Sequence, residues 1–344
     1  RFCSTTGATI RIDDVEKQIE PPKQPELVPN GYVKVAESGE ANLSQTRLHH
    51  LRWMLQKDKL GQDMILLGRP GNLRRNLIMQ FSELTRREIE YILLNRDTTE
   101  SDLKQRREIQ DGTATYYNQS AVRAATEGRI LVIEGVEKTE RNVLPILNNL
   151  LENREMHLED GRFLIAAKNY DSLLERFNQE QLDKWGLVRV SEDFRVIALG
   201  LPVPKYRGSP LDPPLRSRFQ ARDVSELPYL DILTEAKLLA SEKNPELLTK
   251  LTSFGFSVLS SASSLPDFPI DNIRYVGMLV NNNPLQAEHS LLTRLYPYPV
   301  FLEREGIGLT TSLMESLQIQ PEQTPSTQIV SVDPVNEDTL AVNL

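Results

Sequence analysis

Short apolar runs alternate along this chain with segments in which apolar residues recur every three or four positions. The short runs are predicted to be buried strands and cover residues 64–67, 89–94, 129–133 and 194–199. The periodic segments are predicted to be amphipathic helices and cover residues 73–87, 119–126 and 141–152. Strands rich in Ile, Val and Leu that alternate with helices are typical of a parallel sheet covered on both faces. The sequence therefore predicts an α/β domain.

Two further patterns extend this α/β domain. Residues 155–167 contain two short apolar runs around Glu159-Asp160-Gly161-Arg162, which predicts a β-hairpin inserted beside the sheet. Beyond Asp223 the strand signals fade, and helical spacing predicts helices at 229–242, 246–254, 271–280 and 288–295. The predicted layout is a leader over 1–40, an α/β core over 41–222, an α-helical lid over 223–320 and a linker over 321–344.

Composition and charge narrow the possible functions. The 344 residues carry a net charge of -8, which argues against bulk affinity for nucleic acid. No apolar run approaches the roughly 20 residues of a membrane-spanning helix. The single cysteine, Cys3, excludes an internal disulfide framework, and four scattered histidines show no zinc-ligand spacing. The charged run at 104–108 is predicted to be a solvated helical face.

The N-terminal residues suggest a cellular location. Residues 1–6 contain arginine, serine and threonine without acids, which is typical of the end of a mitochondrial transit peptide. Residues 10–40 carry several prolines among charges and are predicted to be an extended leader. An arbitrary boundary within a disordered leader is the alternative interpretation of the first six residues.

The strand at 64–67 and the helix at 73–87 flank a candidate phosphate-binding loop. The loop consists of Gly68, Arg69, Pro70, Gly71, Asn72, Leu73, Arg74 and Arg75. A phosphate loop of the form Gly-x-x-x-x-Gly-Lys-[Ser/Thr] stands at such a strand-to-helix turn, where backbone N–H groups cradle the phosphates. Aligned on Gly68, the second glycine is replaced by Leu73. Arg74 then takes the place of the lysine, and Arg75 takes the place of the magnesium-binding hydroxyl.

Segments farther along the chain contain the other positions that a nucleotide site needs, although some of the required residues are replaced. The strand at 129–133 leads into Glu134 and Gly135, where one carboxylate would hold magnesium and the next would polarise the attacking water. Glu134 is the candidate metal ligand, and the second carboxylate is missing. Leu201 occupies the position of a polar residue that would orient the same water. Arg216 and Arg218 lie beside a proline-rich turn, as an arginine finger aimed at a neighbouring subunit would.

These stations, in this order, resemble the AAA+ ATPases and specifically their dynein-related and MoxR-like branch. The segment 125–161 follows that branch's pattern from the strand and its acid through a helix to an acid-Gly pair, and 96–103 resembles its stretch leading to an Asp-Leu pair. The resemblance implies an α/β fold with a P-loop parallel sheet sandwiched by helices and a small α-helical lid. It also implies ATP and magnesium as cofactors, other AAA modules of the same chain or ring as partners, and the mitochondrial matrix as location. No sensor arginine is found at 281–286.

Three functions stay open at this point. The first is an AAA+ module of an ATPase assembly that is itself catalytically impaired and binds nucleotide weakly or not at all. The second is an active ATPase in which Arg74 serves for the missing lysine, and the third is a nucleotide-free interaction scaffold. The sequence does not identify protein clients, ring stoichiometry or downstream domains.

Overall fold

A computed structural model describes residues 8–33, 43–110, 112–140, 143–224, 227–239, 245–261, 265–273, 275–276 and 288–319. The chain divides into two compact units, Arg1–Asp231 and Ile232–Leu344. The first unit contains the strands and the candidate phosphate loop, and the second is helical where it is described.

The strands of the described residues are numbered in chain order. They are β1 (Ala8–Ile12), β2 (Val15–Ile19), β3 (Met64–Leu67), β4 (Ile89–Leu93), β5 (Gln105–Gln110), β6 (Thr113–Asn118), β7 (Ile130–Glu134), β8 (Met156–His157), β9 (Phe163–Ile165), β10 (Leu187–Arg189), β11 (Arg195–Gly200) and β12 (Gln220–Asp223).

The helices follow the same convention. They are α1 (Gln45–Lys59), α2 (Leu73–Thr85), α3 (Glu100–Leu103), α4 (Ser120–Glu127), α5 (Ile146–Glu152), α6 (Ala167–Leu174), α7 (Gln179–Lys184), α8 (Pro213–Arg218), α9 (Tyr229–Leu239), α10 (Pro245–Ser260), α11 (Glu288–Leu295), α12 (Tyr298–Phe301) and α13 (Arg304–Ser316). No helix among the described residues is long and apolar enough to cross a membrane.

A five-stranded sheet in the order β12-β3-β11-β7-β4 forms the centre of the first unit, and all its neighbouring strands are parallel. Successive residues of β7 and β11 are buried, so both faces of these strands are covered. The α/β fold class predicted from the sequence is thereby confirmed. Because ligands of parallel α/β sheets bind at the carboxyl ends of the strands, the ends of β3, β7 and β11 are where a site is expected.

The four predicted strands of this sheet are confirmed within one residue at each end. β3 covers the predicted range, and β4, β7 and β11 begin or end one residue away. The fifth strand, β12, was not predicted. Its sequence Gln-Ala-Arg-Asp has no apolar run, because it is a half-exposed edge strand that pairs only with β3.

The extended leader predicted for residues 10–40 is wrong for its first part. β1 and β2 form an antiparallel hairpin in which Ala8 pairs with Ile19 and Ile12 with Val15. The sequence carries a partial signal, because apolar and polar residues alternate over 8–12, before Asp13 and Asp14, whereas three consecutive polar residues at 16–18 interrupt the pattern in β2. The prolines that follow drew the prediction toward an extended chain. Residues 1–7 and 34–42 lie outside the described residues.

Two hairpins decorate the sheet, and one of them corrects the sequence interpretation. The predicted hairpin at 155–167 is confirmed as β8 and β9, with β10 added as a third strand parallel to β9. The charged run at 104–108 was predicted to be helical, but most of it lies in β5, which pairs antiparallel with β6. Arg106 pairs with Tyr117 and Arg107 with Tyr116, so a strand register replaces the helical face. Both arginines are exposed, as predicted.

The second unit packs its helices around aromatic rings. Phe254 of α10 lies edge-on to Phe268 and Tyr296, with ring centroids 5.7 and 6.4 Å apart. The predicted helix at 288–295 is confirmed as α11, whereas α13 was not predicted. Of the predicted helix at 271–280, the described part contains a 3₁₀ turn at Ile270–Asn272, and residues 274 and 277–280 lie outside the described residues.

A buried histidine gives the first unit a pH-dependent stability. His50 of α1 is 7% exposed, and its Nδ1 accepts a hydrogen bond from Nε of Arg222 at 3.2 Å. Burial, followed by the charge of Arg222 and the neighbouring His49 and Arg47, lowers the pKa of His50 to about 4, while Asp223 opposes this shift. In the unfolded chain the pKa returns to about 6.5.

We expect acid to destabilise the protein through this imidazole. Between pH 6.5 and 4 the unfolded chain binds a proton that the folded protein does not, so stability falls as the pH falls. The expected loss at pH 5 relative to pH 8 is about 2 kcal/mol. Urea denaturation of wild type and His50→Asn at both pH values measures it, with the exposed His49→Asn as control. An unchanged pH dependence in His50→Asn would contradict the assignment.

Candidate functional site

The candidate phosphate loop leaves the sheet between β3 and α2. Val224 N donates to the carbonyl oxygen of Leu67 at 2.7 Å, which holds the start of the loop against the chain that follows β12. A Cβ atom added at Gly68 would lie 2.4 Å from the carbonyl oxygen of Val224. Only glycine fits this position, because real Cβ contacts are never so short. The first glycine of the predicted loop is therefore required by packing, whatever the loop binds.

The rest of the loop runs into the first turn of α2. Pro70 and Gly71 are exposed, Arg69 and Asn72 are half-buried, and Leu73 is buried. Asn72 is the N-cap residue, and its carbonyl oxygen accepts a hydrogen bond from Asn76 N at 2.8 Å. The predicted strand-loop-helix arrangement of residues 68–75 is present in the structure.

Arg74 takes the position of the phosphate-binding lysine, but its side chain is directed at the sheet. The residue is 7% exposed, and its Nη1 donates to the carbonyl oxygen of Gly200 at the end of β11. Its Cδ lies 3.3 Å from a Cβ built at Gly68. The guanidinium thus ties the first turn of α2 to the neighbouring strand.

Arg75 and Glu134 contact each other at the carboxyl ends of the strands. Nη2 of Arg75 lies 2.8 Å from Oε2 of Glu134, and its Nε lies 3.2 Å from that oxygen and 3.1 Å from the hydroxyl of Tyr91. The hydroxyl of Tyr91 donates to the same carboxylate oxygen. The two positions that would share a magnesium ion in an intact site are therefore joined directly by an ion pair.

Gly135 follows Glu134 in a backbone conformation that a carboxylate residue does not adopt readily. Its φ is +86°, and an added Cβ would lie 2.7 Å from the carbonyl oxygen of Leu94. Leu94 N in turn donates to the carbonyl oxygen of Glu134 at 2.8 Å. The turn after β7 is thus shaped for glycine at the position where the water-activating carboxylate would lie.

The position predicted to orient the attacking water is apolar, as the sequence indicated, but a buried acid lies beside it. Leu201 N donates to Oε2 of Glu137 at 3.2 Å, and Glu137 is 4% exposed. Its carboxylate lies 3.9 Å from a Cβ built at Gly200, whose carbonyl oxygen accepts the hydrogen bond from Arg74.

Arg216 and Arg218 lie at the end of α8 and have different surroundings. Arg218 donates through Nη1 to the carbonyl oxygen of Pro214 and through Nη2 to Oε2 of Glu152 on α5. The side chain of Arg216 is exposed and forms no hydrogen bond or ion pair with the residues that the structure describes. Of the two predicted finger residues, Arg216 has the side chain available to a second molecule.

Sequence reasoning missed two residues of this edge. Tyr91 lies in the middle of β4, where alternation gives no hint that its hydroxyl reaches the end of β7. Glu137 could have been found, because it is the second acid in the Glu134-Gly135-Val136-Glu137 segment that leaves a buried strand. The segment 281–286, where no sensor arginine was found, lies outside the described residues.

The magnesium ion that the family implies does not fit these residues. The metal-binding hydroxyl is absent, and Oε2 of Glu134, the carboxylate at the strand end, already accepts hydrogen bonds from Arg75 and Tyr91. Within the described part of the chain, no group of three or more His, Cys, Asp and Glu side chains is arranged to hold a metal ion.

Comparison with known proteins places this geometry in a family. Over 318 residues the chain is 52% identical to von Willebrand factor A domain-containing protein 8 of Mus musculus. The aligned region covers 92% of this chain and 16% of the mouse protein. A solved structure from Cytophaga hutchinsonii aligns with a TM-score of 0.41 and 12% identity over 81% of this chain and 92% of that chain. Residues 63–219 match the AAA domain (dynein-related subfamily), so the resemblance inferred from the motifs is confirmed. Through this domain the chain belongs to the AAA+ ATPase family, in its dynein-related branch.

Proposed function

We propose that this chain is an AAA+ module that does not hydrolyse ATP itself and that acts within a larger assembly of AAA modules. The observation that carries the proposal is the ion pair between Arg75 and Glu134 in the place of the magnesium ion. The chain spans 16% of its mouse relative, so further modules of a longer protein are the natural partners of this one.

The absence of turnover follows from the chemistry of the strand ends. Hydrolysis of ATP needs positive charge at the transferred phosphoryl group and a carboxylate that positions the attacking water. Arg74 bonds the end of β11, Arg75 bonds Glu134, and Gly135 offers no side chain. These contacts weigh against an active site in which Arg74 serves as the lysine, because its Nη1 is directed at a backbone carbonyl.

Weak nucleotide binding remains part of this proposal. The loop keeps its first glycine and the N-terminus of α2, which attract phosphate, but lacks the second glycine and the hydroxyl. Each lost charged hydrogen bond removes about 1.5–3 kcal/mol of binding free energy. Titration with a fluorescent ATP analogue tests this part. Binding without turnover supports it, binding with turnover supports the active ATPase, and no binding supports the nucleotide-free scaffold.

The assembly would be located in the mitochondrial matrix. This part of the proposal rests on the composition of residues 1–6 and on the family resemblance. Imaging the fluorescently tagged full-length protein against a matrix marker tests it, and a cytosolic or nuclear signal would contradict it.

Arg216 is the residue through which this module would act on its neighbour. An arginine finger stabilises charge in the partner's transition state and contributes about 10³–10⁵ in rate at the site that it completes. We expect Arg216→Ala to lower ATP hydrolysis by the full-length protein without changing the melting temperature of this module, because the side chain is exposed.

Arg218→Ala on the same helix is the matched control for that measurement. Its pair with Glu152, whose side chain is 55% exposed, contributes at most about 1 kcal/mol to stability, so a small shift in melting temperature is expected with little change in activity. If Arg216→Ala leaves steady-state ATP hydrolysis unchanged, this module supplies no finger to a neighbouring site.

A further inference from the structure

A cation of the chain itself lies where the family places a divalent metal. Arg75 is at the loop position of the metal-binding hydroxyl, and Glu134 is at the strand position of the metal-binding carboxylate. We propose that the guanidinium of Arg75 replaces the magnesium ion, so that this loop binds the phosphates of a nucleotide without a divalent cation. The inference rests on the proposed function, since it concerns the nucleotide site of the same AAA+ module.

The arrangement of donors on Arg75 allows it to hold Glu134 and a phosphate together. A guanidinium has five N–H donors in a fixed plane. Arg75 uses Nε and Nη2 on Tyr91 and Glu134, and its Nη1 forms no hydrogen bond with any residue that the structure describes. Its side chain is 46% exposed, so the unused edge of the guanidinium is open to a ligand. Arginine forms paired, charge-assisted hydrogen bonds with phosphate oxygens in this geometry.

Glu134 and Tyr91 hold this cation in place. Oε2 of Glu134 accepts hydrogen bonds from Arg75 and from the hydroxyl of Tyr91. The carbon of the guanidinium lies 5.8 Å from the centroid of the Tyr91 ring, at the edge of the range for a cation–π contact. The positive charge is therefore fixed beside the first turn of α2, whose N–H groups also attract anions.

A magnesium ion would oppose this arrangement. The carboxylate that could ligate the metal is neutralised by Arg75, so the metal gains little from Glu134. A metal bound to the phosphates would also bring positive charge close to the guanidinium of Arg75, and like charges repel each other. Free nucleotide should therefore bind more tightly than its magnesium complex.

Nucleotide titration with and without metal tests the proposal. The full 344-residue chain is titrated with N-methylanthraniloyl-ATP in excess EDTA and in excess magnesium, with phosphate release measured in the same samples. We expect binding in EDTA to be tighter than in magnesium by about 3- to 10-fold, since one unfavourable charge contact is removed. Arg75→Lys should keep this order, because it keeps a cation.

The Arg75→Thr variant is expected to reverse this preference for binding without magnesium. It removes the cation, releases the carboxylate of Glu134 and restores a hydroxyl at the loop end, so binding should become about tenfold tighter in magnesium than in EDTA. Arg106→Thr, an exposed arginine of β5, is the control and should behave as wild type. Circular dichroism of each variant confirms that it is folded.

The outcomes separate this inference from the proposed function. Wild-type binding that requires magnesium, no binding in either buffer, or an Arg75→Thr variant with wild-type preference would each overturn the metal-independent site. Magnesium-dependent phosphate release by the wild-type chain would instead overturn the proposed function. Magnesium-dependent binding without release overturns the present inference alone.

Discussion

Asp58→Ala is expected to lower the free energy of unfolding by about 3–5 kcal/mol, because it leaves three partly buried cations without their common, fully buried partner. The side chain of Asp58 is fully buried at the end of α1. Its carboxylate bonds Lys17 of β2, Nη1 of Arg87 at 3.1 Å and, more distantly, Nε of Arg195 at 3.6 Å. One carboxylate thus joins the N-terminal hairpin, the start of β4 and the start of β11.

The pKa of Arg195 shows that the carboxylate of Asp58 stabilises a positive charge that the surroundings of Arg195 disfavour. Burial, together with the neighbouring charges of Arg87 and Arg154, lowers the pKa of this guanidinium, and Asp58 raises it again. Without Asp58 the folded protein holds these charges in a poorly solvated site, whereas the unfolded chain exposes them to water. The cost is therefore larger than that of losing one hydrogen bond.

Urea denaturation at neutral pH measures the effect, and Asp171→Ala is the matched control. Asp171 also pairs with an arginine, Arg189, at 2.7 Å, but its side chain is 47% exposed. Exposed pairs contribute about 0–1 kcal/mol, so the control should stay close to wild type. Equal losses in the two variants would show that Asp58 is no more than an ordinary ion pair.

The sequence predicted the central sheet well, because parallel strands that are buried on both faces appear in the sequence as continuous apolar runs. β3, β7 and β11 are runs of apolar residues with few polar interruptions, and their ends also located the phosphate loop and Glu134. β12 carries no such signal, since it is a four-residue edge strand with polar residues. Its parallel pairing with β3 is a tertiary fact that no local pattern reveals.

The candidate site was predictable as positions but not as contacts. Spacing alone identified Arg75 and Glu134 as replacements, but nothing local indicates that two residues 59 apart in sequence form an ion pair. The direction of Arg74 toward β11 depends on the burial of the first turn of α2, which is likewise a tertiary property. The sequence shows only that the water-activating carboxylate is missing at position 135. The left-handed conformation of Gly135 gives a physical reason for its replacement by glycine.

The triple variant Leu73→Gly, Arg74→Lys and Arg75→Thr is expected to bind nucleotide at least about tenfold more tightly in magnesium than wild type, since it regains charged hydrogen bonds worth about 1.5–3 kcal/mol each. The lysine replaces a guanidinium that is bonded to the end of β11, and the threonine frees Glu134 for the metal. Hydrolysis should not return, because Gly135 still offers no carboxylate to the attacking water.

The single variants show whether the gain has this origin. Arg74→Lys alone should give part of the gain, because Glu134 remains paired with Arg75. The exposed Arg107→Lys of β5 is the control for a general effect of an arginine-to-lysine change and should not alter binding. If affinity in the triple variant stays at the wild-type value, the alignment of the loop on Gly68 is wrong.

Phosphate release from ATP by the purified chain tests the central claim most directly. Wild type and the triple variant are assayed with magnesium and with EDTA over the range of ATP concentrations that saturates binding. The account predicts release at the background rate in both proteins, because neither has a water-activating carboxylate. Magnesium-dependent release by the wild-type chain that disappears in Arg74→Ala would contradict it.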